Sequence, residues 1–191
     1  MHLIKKQGGI IMKTVILFGS PRKDGNTAQL TGAFSRGLKE KGCDVRTIYL
    51  NDVNIRPCQG CLTCLPKGIC KINDDMKDIR KYIAESDLIV YATPVYWFAP
   101  SGQLKLVIDR SISFFDTEYN SRIKGKKAVT IMTCADEGSD TFSPSKDMFR
   151  RTFDLLGISY AGSVEAAGCT GKGVVKDESL EKAVKLAESL I

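Results

Sequence analysis

The chain has 191 residues, 43% of them hydrophobic, enough to bury one sizeable core, and no Pro/Gly/Ser-rich linker or break in composition divides it. Its formal net charge of +6 is spread along the sequence, and short clusters such as Lys124-Gly125-Lys126-Lys127 and Arg150-Arg151 read as solvated faces rather than a nucleic-acid stripe, leaving a mild preference for anionic partners. The single histidine is His2, which argues against hydrolases and zinc sites that need an imidazole inside the fold, and no run approaches the ~18 apolar residues of a membrane span.

Residues 1–11 are too polar for a secretory segment, with Lys5, Lys6 and Gln7 among them, and Met12-Lys13 reads as the start of the fold. We therefore expect an N-terminal extension at 1–11 and one domain over 12–191, in a cytoplasmic setting. There, seven cysteines are thiols or metal ligands rather than structural disulfides.

Val15-Ile16-Leu17-Phe18 is the first strand, and Leu30, Ala33, Phe34, Gly37 and Leu38 mark one face of the helix that follows. The turn between them, Gly19-Ser-Pro-Arg-Lys-Asp-Gly25-Asn-Thr27, places unpaired N–H groups at a helix start. Ser20, Asn26 and Thr27 add side-chain donors, and Arg22 and Lys23 add charge, which suits a phosphate. Neither a Walker loop nor G-x-G-x-x-G is present, so a single phosphate such as that of FMN fits better than a nucleoside triphosphate or a dinucleotide. The plainer reading is an ordinary capped turn with solvated charges.

Val45–Leu50 alternates as an edge strand does. The connection after it, 56–73, carries Cys58, Cys61, Cys64 and Cys70 in the spacing C-x2-C-x2-C-x5-C. Such a run can wrap the corners of one cubane, as in bacterial ferredoxins, whereas structural zinc sites more often separate two C-x2-C pairs. Zinc, a disulfide or free thiols stay open. Gly60 and Gly68 permit the turns, and Arg56, Lys67 and Lys71 would offset thiolate charge.

Met76, Ile79 and Ile83 predict a helix, with Asp74 and Asp75 at its positive end. Leu88–Ala92 is apolar throughout, as a strand covered on both faces is. The stretch Pro94-Val95-Tyr96-Trp97-Phe98 then offers aromatic faces and a stiff backbone to a flavin ring; alternatively Trp97 and Phe98 cap the sheet or line a subunit contact. Leu104, Val107, Ile108, Ser111, Ile112 and Phe115 mark a further helix, and Lys105, Asp109 and Arg110 lie on or near one of its faces.

Ala128–Thr133 is a fourth strand, and the loop Thr133-Cys134-Ala135-Asp136-Glu137-Gly138 after it is a third wall for the same ligand, with Cys134 read as a small buried side chain. Met148, Phe149, Thr152, Phe153 and Leu156 form a helical stripe that stops at Gly157. Tyr160–Val164 is a fifth strand, and a helix from Asp177 closes the chain. The alternation predicts an α/β fold, a flavodoxin-like, doubly wound, five-stranded parallel sheet of order 2-1-3-4-5 with helices on both faces. Its ligand crevice lies at the ends of strands one and three.

Gly-Ser-Pro-Arg-x-x-Gly-Asn-Thr, Pro94-Val95-Tyr96-Trp97, and Leu104-Lys105 with Asp109-Arg110 together resemble the NAD(P)H-dependent FMN reductases, and the cysteine run resembles their iron-sulfur flavoprotein branch. The resemblance implies FMN held by Ser20, Arg22, Asn26, Thr27, Pro94, Val95, Tyr96, Trp97, Cys134 and Ala135, and a 4Fe-4S cluster on Cys58, Cys61, Cys64 and Cys70. It implies hydride from NADPH or NADH, electrons passed to a small-molecule or protein acceptor, a homodimer or homotetramer, and no catalytic side chain; Lys105, Asp109 and Arg110 are then structural or lie near the dimer contact. A second class fits too: a non-enzymatic electron carrier reduced by ferredoxin. A third is a thiol or zinc sensor without flavin.

Overall fold

In the first strand, β1 (Lys13–Phe18), Val15 and Leu17 face one side and Ile16 and Phe18 the other, and all four are buried, so the strand needs cover on both faces. The computed structural model describes residues 11–191; the expected extension, apart from Ile11, and His2 lie outside them. The remaining elements are α1 (Asn26–Glu40), β2 (Asp44–Tyr49), α2 (Met76–Glu85), β3 (Leu88–Tyr96), β4 (Ala99–Pro100), α3 (Gly102–Arg110), β5 (Lys127–Thr133), α4 (Ser143–Leu156), β6 (Ser159–Ala166) and α5 (Asp177–Ser189).

Five strands run parallel in the order β2-β1-β3-β5-β6, which is the expected doubly wound arrangement counted with one strand more. The extra strand is β4, two residues that fold back antiparallel on the end of β3, pairing Val95 with Pro100 and Tyr96 with Ala99. The third strand therefore runs further than its apolar core suggested. Pro94 still sits in the ladder, opposite Thr133 of β5, and the chain turns only at Trp97-Phe98. Alternation along each strand separates two cores. One packs Leu30, Phe34 and Leu38 of α1 and Ala183 and Ala187 of α5 against Ile16, Val90 and Ile131. The other packs Ile79, Leu104, Val107, Phe149 and Phe153 against Val15, Leu17, Tyr91 and Met132.

The helix ends obey local chemistry. α4 stops at Gly157, whose φ of 65° is left-handed, and Ser101 caps α3 by accepting the Leu104 N–H at 3.4 Å. The turn before α1 is capped differently, because Gly25 at its start has no side chain to offer. No described helix is long and apolar enough to cross a membrane.

Candidate functional site

Gly19 brings the end of β1 against the end of β3. Its N–H donates to the Ala92 carbonyl at 2.7 Å, and the Ser101 hydroxyl donates to the Gly19 carbonyl at 2.7 Å. A Cβ at Gly19 would lie 2.8 Å from Ser101 Oγ and 2.9 Å from Leu104 Cβ, so the approach requires glycine. The Ser101 N–H in turn donates to Thr93 Oγ1 at 3.0 Å. These bonds set the spacing between the loops after β1 and β3.

Beside them opens a cavity of about 300 Å³. Ser20, Arg22, Asn26, Thr27, Pro94, Val95, Tyr96, Cys134 and Ala135 all line it. Trp97 does not: it stands 94% exposed at the tip of the β3–β4 hairpin. Thr133, from the expected wall after β5, lines it too, as do Cys169, Thr170 and Lys172, which the motifs did not single out. Their one signal lay in the topology, since the loop after β6 emerges at the same sheet edge as the loops after β1, β3 and β5.

Asn26 explains how that distant loop is held. Its side-chain amide donates to the Gly171 carbonyl at 2.7 Å and the Cys169 carbonyl at 3.4 Å, and its Oδ1 accepts the Val174 N–H at 2.9 Å. The amide is thus occupied in bridging two loops, and Lys172 pairs with Asp24 across the same seam. Thr27 is likewise bonded, hydroxyl to hydroxyl, to Thr133 at 2.7 Å, which joins the start of α1 to the end of β5. Ser20 Oγ accepts the Arg22 N–H at 3.1 Å and shapes the turn.

The charge on the cavity wall is one-signed. Arg22 and Lys172 are its charged side chains, and no carboxylate lines it. Burial pushes the Cys134 thiol up to about 11, with Asp136 and Cys169 adding to the effect, so it is a neutral thiol near neutral pH. Its S–H donates to the Asp136 carbonyl at 3.2 Å.

Cys58, Cys61, Cys64 and Cys70 line a second, smaller cavity together, of about 100 Å³, against Asp109, Arg110, Ile112 and Ser113 at the end of α3. All four are free thiols in the structure, and among the described residues no three metal-ligating side chains stand close enough to grip a single ion. The loop is tethered by guanidinium groups. Arg122 donates to the Leu65 carbonyl at 2.7 Å and the Pro66 carbonyl at 3.2 Å, and Arg110 to the Arg56 carbonyl at 2.8 Å. Lys105 pairs with Asp109 at 2.5 Å on the exposed side of the same helix.

Fold and cavity define a flavodoxin-like protein with a crevice at the topological switch point, walled by Arg22 and Lys172. The sequence matches the NADPH-dependent FMN reductase family over residues 12–165, and the chain belongs to that family of oxidoreductases. It is 32% identical over 179 residues to an iron-sulfur flavoprotein of Archaeoglobus fulgidus, spanning 94% of this chain and 79% of that one. It is 29% identical over 180 residues to YwqN of Bacillus subtilis, named provisionally as an NAD(P)H-dependent FMN-containing oxidoreductase, spanning 92% and 96% of the two chains. An NAD(P)H:quinone oxidoreductase from Methanothermobacter marburgensis shares the fold, with a TM-score of 0.79 at 19% identity over 95% of this chain and 96% of that one.

Proposed function

We propose that residues 12–191 act as one FMN-binding domain that takes hydride from NADPH or NADH and passes electrons to a small-molecule or protein acceptor, ferredoxin among the candidates, with a 4Fe-4S cluster on Cys58, Cys61, Cys64 and Cys70. One observation carries the reading: the expected cofactor residues, all but Trp97, line a single cavity with cations and no carboxylate on its wall. About 300 Å³ lies at the lower end of small-molecule sites, ~300–1,000 Å³, and the donor set suits one phosphate at one end and a ring at the other. The four thiols that line the second cavity are the soft donor set a 4Fe-4S cluster takes, and to hold one they must draw closer than they stand, since no three of them are near enough to grip a single ion.

FMN would supply the hydride-accepting ring and the cluster one-electron exchange. The chain's own part is to hold and to exclude. The first N–H groups of α1, Ser20, Thr27 and Arg22 receive the phosphate, while Pro94, Val95 and Tyr96 back the ring. Cys134 keeps the opposite wall neutral. Exposed Tyr96, Trp97 and Phe98 form an aromatic rim that suits a second copy of the chain, which supports a homodimer or homotetramer.

The test is an absorption spectrum with iron and sulfide analysis on anaerobically prepared protein, followed by anaerobic mixing with NADPH and NADH. Flavin bleaching by either nicotinamide supports the enzyme; bleaching by reduced ferredoxin alone marks the carrier instead. A colourless protein that takes up no FMN overturns the reading, and zinc or disulfide in place of iron removes its cluster.

A further inference from the structure

A cavity of about 420 Å³ lies between the end of the cysteine loop and α2. Cys70, Ile72, Arg110 and Ser113 line both it and the four-thiol cavity, so Cys70 forms part of a shared wall. Its cations are Lys71, Lys77, Arg80, Lys81 and Arg110, against the one carboxylate of Asp78. Arg110 is already neutralised by Asp74, and Lys81 has Glu85 at 4.0 Å. Lys71, Lys77 and Arg80 remain.

Arg80 is the informative one. Its Nε is sealed from solvent with no hydrogen-bond partner. Burial and the cation of Arg122 both oppose its charge, and among the described residues no carboxylate pairs with it. Its guanidinium carbon lies 5.4 Å from the centre of the Phe114 ring, and Gly68, with a φ of 66°, leaves the space a Cβ would take from it. A cation so placed is costly unless negative charge arrives from elsewhere. Beside it Met76 is buried and Ile72 half-buried, which supplies an apolar floor.

We propose that this cavity binds a small organic anion, a carboxylate or sulfonate on an apolar ring, with its charge on Arg80 and Lys77 and its body against Ile72 and Met76. A ligand there adjoins the wall that Cys70 shares with the four-thiol cavity, the position a substrate exchanging electrons with that cavity requires. That purpose rests on the cluster reading; the binding does not.

The probe is anthraquinone-2-sulfonate, with neutral 2-methylanthraquinone as its control, in equilibrium dialysis against the full-length protein as purified, with iron assayed in parallel. The expected result is sulfonate binding that excess FMN does not displace, weakened about tenfold by Arg80→Gln and largely kept by Arg80→Lys, with FMN binding unchanged. Undiminished binding in Arg80→Gln, displacement by FMN, equal affinity for the neutral control, or no binding overturns the proposal. Should Arg80→Gln fail to fold, Lys77→Gln decides: weaker sulfonate binding supports the site and unchanged binding overturns it. Binding to an iron-free preparation leaves the anion site standing while the cluster reading falls.

Discussion

Arg110 holds Asp74 through two hydrogen bonds, Nη1 to Oδ2 at 2.9 Å and Nη2 to Oδ1 at 3.2 Å, with both side chains closed off from water. Both partners also take the backbone of Arg56, whose carbonyl accepts from Arg110 at 2.8 Å and whose N–H donates to Asp74 at 2.9 Å. Residues 56 and 74 flank the four cysteines, so this pair pins both ends of their loop to the end of α3. An i, i+4 pattern on α3 revealed Lys105 and Asp109 as neighbours, but not this partner 36 residues away.

Removing one member of the pair strands the other as a buried charge. Arg110→Met is expected to cost about 3–5 kcal/mol in urea unfolding. The double variant Arg110→Met/Asp74→Leu is expected to recover most of that loss, because it leaves no charge uncompensated. Equal destabilisation in single and double variants would show that the loop, rather than the charge, bears the cost.

The same pair sets an acid limit. Desolvation alone would raise the Asp74 pKa, but the hydrogen bonds from Arg110, the Arg56 N–H and the Met76 N–H outweigh it and hold the carboxyl below its ordinary 3.8. A depressed folded pKa contributes stability that is complete above the unfolded value and is lost as pH falls through the folded one. Wild type should therefore lose stability more steeply than Asp74→Asn below pH 3.8, as read from urea midpoints at descending pH.

Gly19→Ala places a methyl within 2.8 Å of Ser101 Oγ and 2.9 Å of Leu104 Cβ. Overpacking of this kind costs about 1–3 kcal/mol. Because Gly19 spaces the two loops, the variant is also expected to bind FMN more weakly, in a titration followed by flavin fluorescence.

Thr27→Val keeps the shape of the side chain and deletes its bond to Thr133, 2.7 Å long and buried. An unpaired buried hydroxyl costs about 1–3 kcal/mol. Thr27→Val/Thr133→Val should be more stable than Thr27→Val alone in thermal unfolding, yet still bind FMN less well than wild type, since Thr27 faces the cavity.

Trp97 and Phe98 occupy the two-residue turn between β3 and β4 with φ of 51° and 63°, a conformation that Asn-Gly adopts more easily. Left-handed backbone costs an L-residue roughly 1–2 kcal/mol. Trp97→Asn/Phe98→Gly should raise the melting temperature while lowering NAD(P)H turnover. Unchanged turnover would mean the aromatic pair has no part in the function.

Much of this was legible from periodicity. Every central strand appeared as an apolar run, and every long helix as a stripe recurring at three or four residues, because burial against a sheet imposes those intervals. The turn that puts Ser20, Arg22, Asn26 and Thr27 on the cavity wall was legible for a different reason: it is built from consecutive residues. Asn26 shows the limit, since its amide bonds residues 169, 171 and 174. The end of β3 shows another, because the pairing of Val95 with Pro100 that extends it depends on a turn at residues of poor turn propensity.

Local structure, then, was settled by the order of the amino acids: which segments are strands, which are helices, and which loops leave the sheet at the edge where the cavity lies. What needed the folded chain was every relation across sequence distance, namely the buried Arg110–Asp74 clamp, the loop after β6 as a wall of the cavity, and a cation-lined space beside Cys70. Hydrogen bonds and charge pairs follow separation in space, and that separation is set by how the two cores pack the helices against the sheet.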